Sequence, residues 1–277
     1  MNKVCHLILL VTVSILLITG VALAGAKDML LCLPGFPGTS IQAQPYIDKV
    51  LRHLESKMDW PALSMKGVYI PDGPLALKKL SAKKPGIALV GPSIYASQHK
   101  AFKMKVIAKV EVNGQAQQTY SVVTKKGGPK TLKELAGKTL KGTVVYDTSY
   151  IYNILLNGEI PKGALKLENV KRPLGALRDV ARGKTDGAII SQEVKNHMKE
   201  LPFASDLQVI YTSKPVPPPA VVVMGDGVKH AGKLAKILVG MCQRPDGKEL
   251  CKTLTISSIK AASDADFKEF LTAYEGK

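Results

Sequence analysis

Apolar and polar positions alternate in blocks along this chain, and the blocks predict an α/β protein. Met29 to Leu33 reads as a first strand, ended by the loop Pro34-Gly35-Phe36-Pro37-Gly38-Thr39. Ile47, Val50, Leu51 and Leu54 then recur at i, i+3, i+4 and i+7, the spacing of one helix face. Ser64 to Ile70 is a second strand-like run. Asp72-Gly73-Pro74 supplies a cap and a first-turn proline for a helix through Leu75, Leu77 and Leu80. Ile87 to Val90 is an unbroken apolar run, which suits a strand covered on both faces. Gly91-Pro92-Ser93 stops it abruptly and sets small groups outside the strand's carboxyl end, where open α/β sheets bind ligands. The same three residues also suit a plain connecting loop. The β-α-β-α-β order of this first third predicts a doubly wound sheet.

The pattern then crosses over and begins again. Met104 to Val112 and Thr119 to Thr124 are strands separated by Asn113-Gly114, a hairpin or a crossing point. After the break Lys125 to Pro129, Thr131-x-x-Glu134 spells a capping box for a short helix ending at Gly137. Thr143 to Tyr146 reads as a strand, followed by Asp147-Thr148-Ser149-Tyr150 and a helix through Ile151, Ile154 and Leu155. Leu174, Leu177, Val180 and Ala181 form another amphipathic helix. Asp186 to Ile190 is a strand feeding a helix from Ser191 to Lys199, and Leu207 to Tyr211 is one more strand. Pro215-Val216-Pro217-Pro218-Pro219 cannot lie inside a sheet and reads as a rigid return path. Val221 to Met224, the periodic Ala231, Leu234, Ala235 and Leu238, and a docked terminal helix carrying Phe267, Phe270 and Leu271 complete the chain. Two α/β lobes follow: residues 25–123 open the first, 124–212 form the second, and 213–277 return to the first.

The amino terminus stands apart from this pattern. Lys3, the apolar stretch Leu7 to Leu23, and Ala22-Leu23-Ala24 have the layout of a secretory signal peptide over residues 1–24, cut after Ala24. The alternative is an uncleaved anchor, since the apolar stretch approaches spanning length. Cys5 precedes the apolar run, which excludes a lipoprotein signal. The chain is therefore expected to be exported, and nothing later in it is long and apolar enough to span a bilayer.

Charge and cysteines change this picture only locally. A net charge of +17 over 277 residues favours anionic partners in general. The lysines are scattered and few aromatics lie between them, however, so with an export signal nucleic acid is not expected as a partner. Cys242 and Cys251 flank Arg244-Pro245-Asp246-Gly247, a turn between helical patterns, where a disulfide can form in an oxidising compartment; Cys32 sits in an apolar run as a small core residue. The five histidines are isolated, and neither a metal site nor a cofactor motif is expected. No nucleophile elbow or metalloprotease motif is present, so the sequence is not read as an enzyme.

Candidate ligand contacts gather at the turns. Thr148 and Ser149 open a helix, where free N–H groups and the helix dipole favour an anion and two hydroxyls can donate to it. Equally, Asp147, Thr148 or Ser149 serves as an ordinary cap. Pro92, Ser93 and the segment from Phe36 to Thr39 would face them from the first lobe. Thr119 and Tyr120 lie where the chain crosses between lobes, and Tyr95 is either a cleft or a core residue.

Several segments together resemble a known family. Leu89-Val90-Gly91-Pro92-Ser93-x-Tyr95, Leu132-x-x-Leu135-x-Gly137-Lys138, Ala176-Leu177-x-x-Val180-x-x-Gly183-x-x-Asp186-Gly187-Ala188, Arg244-Pro245-Asp246-Gly247-Lys248 and Ala262-Ser263-Asp264-x-Asp266-Phe267 occur in that order. In these the chain resembles solute-binding proteins of ABC transporters, the phosphate/phosphonate type with the type II periplasmic binding fold. The resemblance implies a two-lobed monomeric clamp in the periplasm, non-enzymatic, that closes over a small and anionic ligand and hands it to a membrane permease. A sensor of the same fold, reporting its ligand to a membrane receptor or kinase, is the alternative. The resemblance adds Tyr150 and Glu193 as ligand positions. It also exposes departures. Gly73 follows Asp72 where such binders often have Tyr, Arg172-Pro173 stands where they often have His, and Pro218-Pro219 falls in the region where some carry an acidic residue. Arg172 can replace the His as an anion partner through its fork of donors, or form a solvated pair with Lys171.

Overall fold

The computed structural model describes residues 27–36 and 38–277, so the expected signal segment lies outside the described residues. The first lobe opens with β1 (Met29–Cys32), α1 (Ser40–Met58), β2 (Gly67–Ile70), α2 (Gly73–Lys83), β3 (Ile87–Val90) and α3 (Pro92–Gln98). β1 pairs parallel with β2 on one side and with β3 on the other. β4 (Lys105–Val112) stays in this sheet, whereas β5 (Tyr120–Lys125) belongs to the next, so Asn113-Gly114 marks a crossing. Both residues are left-handed, with φ of 52° and 74°.

The second lobe adds β6 (Thr139–Gly142), β7 (Lys166–Asn169), α4 (Pro173–Ala181), β8 (Gly187–Ser191), α5 (Gln192–Asn196) and β9 (Leu207–Thr212), in the order β7-β6-β8-β5-β9. The chain then returns: β10 (Ala220–Val223) inserts antiparallel between β3 and β4. α6 (Ala231–Leu238), α7 (Pro245–Thr253), β11 (Ile256–Ala261) and α8 (Lys268–Tyr274) follow, and the first sheet runs β11-β4-β10-β3-β1-β2.

Both faces of the first sheet are covered, which explains the unbroken apolar run in β3. Ile87 and Leu89 face α1 and α6 with Leu51, Leu54, Leu234 and Leu238. Ala88 and Val90 face Leu80, Ile94, Tyr95 and Phe267 on the other side. Each large aliphatic side chain buried this way contributes about 1.5–3 kcal/mol. The second sheet alternates likewise: Val122 and Ile189 pack under Ile151 and Leu155, while Val123, Ala188 and Ile190 pack under Leu177 and Val180.

Three expected elements differ. The strand expected at Thr143 to Tyr146 lies four residues earlier, as β6, and 143–146 turn. The last residue of β6 is glycine because Ile189 of β8 fills the space a Cβ would need; Val144 and Val145 are buried from a turn instead of a strand. The helix expected to Lys199 stops at Asn196 and resumes as a 3-10 turn, Met198–Glu200. The capping box at Thr131 and Glu134 forms, with Glu134 N–H donating to Thr131 Oγ1 (3.3 Å), but it supports only the 3-10 turn Lys133–Leu135.

Cys242 and Cys251 are joined by a disulfide, with Cα atoms 5.4 Å apart, and Cys32 is a buried free thiol. Burial pushes the Cys32 thiol up to about 12, which leaves it unreactive at neutral pH. Among the described residues no helix is long and apolar enough to cross a membrane.

Among the described residues, three backbone segments tie the lobes, besides direct side-chain contacts. The two crossings pair with each other: Gln118 N–H donates to Val216 O (3.0 Å) and Val216 N–H to Gln118 O (2.8 Å). Tyr120 N–H donates to Ser213 Oγ (2.9 Å) next to that ribbon. The third is α8. Phe267 is buried in the first lobe, while Phe270 also packs on the second lobe's core. Asn153 Nδ2 donates to Tyr274 O (2.7 Å).

Candidate functional site

The loops after β1, β6 and β8 meet the first crossing in one place. Pro34 and Phe36 from the first lobe, Tyr120 and Gln118 from the crossing, and Thr143, Gln192 and Glu193 from the second lobe line a space of about 20 Å³. That is room for one water. Thr119 Oγ1 donates to Gln192 Oε1 (2.6 Å), and Gln192 N–H donates to Thr119 O (2.8 Å), which fixes the start of α5 against the crossing.

A larger groove of about 450 Å³ opens beside this space. Its floor is the first sheet (Leu31, Leu89, Val110), and its walls are α1 with Ile47 and the end of α7 leading into β11 with Ile256. Phe36, Val112 and Glu193 line both spaces, so the two are continuous. Tyr69 donates its hydroxyl to Phe36 O (2.9 Å). Burial pushes its ionisation upward and the nearby Glu193 carboxylate adds to that; Glu193 lines the groove together with Tyr69 and other first-lobe residues.

Deeper in the molecule the lobes are latched. Tyr146 of the second lobe packs with the first lobe's core, and its hydroxyl and Ser93 Oγ are 2.7 Å apart. A Cβ on Gly73 would overlap the Tyr146 ring, so the glycine after Asp72 makes room for a tyrosine from the opposite lobe. Burial drives the Tyr146 hydroxyl well above the ordinary phenol range, and it stays protonated.

The turn beyond it holds its own anion. Asp147 is buried and accepts from Tyr150 N–H (3.0 Å) through Oδ1 and from the Tyr274 hydroxyl through Oδ2 (3.1 Å). Desolvation raises its carboxyl, against the lowering effect of these donors. Thr148 and Ser149 follow it, and the chain continues as the π-helical turn Tyr150–Leu155. The positive end of this helix thus faces a carboxylate of the protein itself.

The expected contact residues divide accordingly. Phe36, Tyr120 and Glu193 line the cleft, with Thr119 braced against it. Pro92 and Ser93 are buried at the start of α3, with Ser93 held by Tyr146. Thr148 is exposed, and Ser149 Oγ accepts from Lys162 Nζ at 3.5 Å. Four residues lie elsewhere. Thr39 is the exposed cap of α1, accepting from Gln42 N–H (3.3 Å). Tyr95 is a core residue whose hydroxyl donates to Asp264 Oδ1 (3.2 Å) and whose ring meets Phe267 at 5.0 Å. Tyr150 is fully buried, its ring edge-on to Tyr120 at 6.3 Å. Arg172 is exposed ahead of α4 and lines neither space. The sequence reading missed Tyr146, Thr143, Gln192 and Tyr274. Nothing in local periodicity marks them, because each acts on a residue far along the chain.

Comparison with known proteins fits this architecture. The family model for periplasmic substrate-binding proteins of ABC phosphonate transporters matches residues 39–267. Among solved structures, a Xanthomonas citri protein bound to ATP superposes with a TM-score of 0.71 at 13% identity, covering 90% of this chain and 97% of that one. PhnD1 from Prochlorococcus marinus in complex with methylphosphonate gives a TM-score of 0.67 at 12% identity, covering 91% and 98%. A binding-protein component of an ABC phosphonate transporter from Pseudomonas aeruginosa gives 0.63 at 16% identity, covering 90% and 87%. No curated protein matches the sequence. The two-lobed type II periplasmic binding fold and a family match over most of its length together show that the chain belongs to the periplasmic phosphonate-binding proteins of ABC transporters.

Proposed function

We propose that this protein captures a small solute between its lobes outside the cytoplasm and delivers it, as a monomer, to an ABC permease. The observation that carries this reading is the meeting of three strand-end loops, after β1, β6 and β8, across a cleft spanned by two hydrogen-bonded crossings. Such a ribbon serves as a hinge about which lobes open and close. Phe36, Thr119, Tyr120 and Glu193 are the contact residues of the reading, with Ser93 and Thr148-Ser149 reached once Tyr146 leaves its latch. Residues 1–24 act as the export signal, removed after Ala24.

Glu193 is the one carboxylate among the described residues that line the cleft, and the reading is of a carrier and not an enzyme. The related Prochlorococcus protein holds methylphosphonate and the Xanthomonas protein ATP, which makes phosphoryl compounds the first solutes to test. The experiment is a thermal-shift screen of the protein purified from the periplasm, against phosphate, methylphosphonate, sulfate, ATP, amino acids and organic amines. A ligand at 100 times its Kd adds about 2.7 kcal/mol of stability, readily seen as a raised melting temperature. The reading expects one class to raise it and to shrink the radius of gyration in solution scattering. A protein that none of these stabilises or compacts would not be a solute carrier.

A further inference from the structure

The first lobe's core is left uncovered at one place. Leu31, Phe36, Ala43, Val112 and Ile256 pack on the buried cluster but are only partly buried themselves, and all five line the groove. The sequence of α1 explains the gap. Its core face carries Ile47, Leu51, Leu54 and Met58, all buried, and continues toward the cleft with Ala43, one turn before Ile47. A small side chain there leaves open the space that a leucine would fill. The opposite wall is fastened and does not collapse into that space. Asn113 N–H donates to Thr255 O (3.0 Å) and Gly114 N–H to Ser257 Oγ (3.1 Å), which ties the turn from α7 into β11 to the first crossing. The groove is thus preformed, and its volume of about 450 Å³ lies in the range of small-molecule pockets. The cleft itself has only about 20 Å³, room for one water, so the bulk of a solute needs space elsewhere. Phe36 and Val112 line both spaces, so the groove starts where the cleft ends.

We propose that this groove is a chain subsite: the solute is an organophosphonate with a hexyl-sized alkyl or aryl substituent, its head between the lobes and its chain between α1 and α7. This rests on the solute-capture reading and says which part of the solute the first lobe selects. The chain covers the five half-buried side chains and lies on the floor at Leu89 and Val110, so each methylene placed there leaves water for an apolar wall. A methyl substituent is too short to reach the floor and gains nothing from it.

The test is calorimetry on the purified protein with methyl-, butyl-, hexyl- and 4-phenylbutylphosphonate, which share a head and differ in chain. Affinity is expected to climb with chain length, by up to about fourfold for each buried methylene. The heat-capacity change should grow more negative along the series, the mark of apolar burial. Ala43→Phe, which fills the groove from α1, is expected to flatten the series, bringing hexylphosphonate close to methylphosphonate. Circular dichroism checks that this variant folds, and the wild-type series tests the groove without any substitution. A flat wild-type series, or one that stays as steep in folded Ala43→Phe, overturns the proposal. A flat series together with a dimer in sedimentation that Ala43→Phe breaks up would give the groove to a second copy of the chain, and also overturns it. If methylphosphonate binds and longer chains add nothing, this inference falls while solute capture stands. The same holds if only a compound of another class in the wider panel binds. If no member of that panel binds, both fall.

Discussion

At the scale of single residues, the contact between Tyr146, Gly73 and Ser93 joins the lobes most directly. Since a Cβ at 73 and the Tyr146 ring cannot share one space, Gly73→Ala is expected to expel the tyrosine and open the lobes. The radius of gyration should rise and the melting temperature fall. In a Tyr146→Ala background the same alanine should be nearly harmless, and a double-mutant cycle that showed additivity would refute the contact. Removing only the hydroxyl, by Tyr146→Phe, costs about 1 kcal/mol, the scale of one hydrogen bond. Asp147 gives a pH signature. Burial raises its carboxyl in the folded state, so the fold binds more protons than the unfolded chain between the ordinary carboxylate range and that raised value. Stability from this group is therefore present at low pH and lost as pH climbs through the folded pKa. Asp147→Asn keeps a cap for Tyr150 N–H and loses the titration. It is expected to melt higher than the wild type at pH 7, with the gap closing in acid; an unchanged gap across the range would contradict the assignment.

At the scale of elements, the chain's own chemistry explains both what its pattern reveals and what it hides. β3 was legible because four consecutive apolar residues between turn signals suit a strand covered on both faces. The run at 143–146 has the same apolar look but is buried by a turn, and period-two alternation cannot separate the two over four residues. Its true strand, Thr139–Gly142, ends on a glycine chosen by Ile189 of β8, a neighbour 47 positions away. The candidate site divides along the same line. Phe36 and Tyr120 were named for following a strand or a crossing and Glu193 from the resemblance, and all three line the cleft, whereas Tyr95 and Tyr150 turn inward to Phe267 and Tyr120. The disulfide belongs to this scale too. It ties the turn at Met241–Gln243 to α7, with Cys251 buried beside Met241. Closing so short a loop is worth about 2–3 kcal/mol. Cys251→Ala, or reduction, should lower the melting temperature by about 5–10 °C in a domain of this size. A melting curve insensitive to reductant would show that the bond adds nothing.

At the scale of the whole molecule, the order β-α-β-α-β, crossing, second lobe, return was readable because each segment carries its period locally. The meeting of the lobes was not, since Ser93 with Tyr146 and Asp147 with Tyr274 pair residues 53 and 127 positions apart. Any opening must also contend with α8, which leaves the first lobe at Phe267 and ends between the two, where Asn153 of the second lobe holds Tyr274 and Lys100 of the first pairs with Glu275. If the lobes move as proposed, α8 therefore rides on the joint between them. An environment-sensitive fluorophore placed beyond Tyr274 would convert lobe movement into an optical signal, turning the last turn of the chain into the natural attachment point for a biosensor.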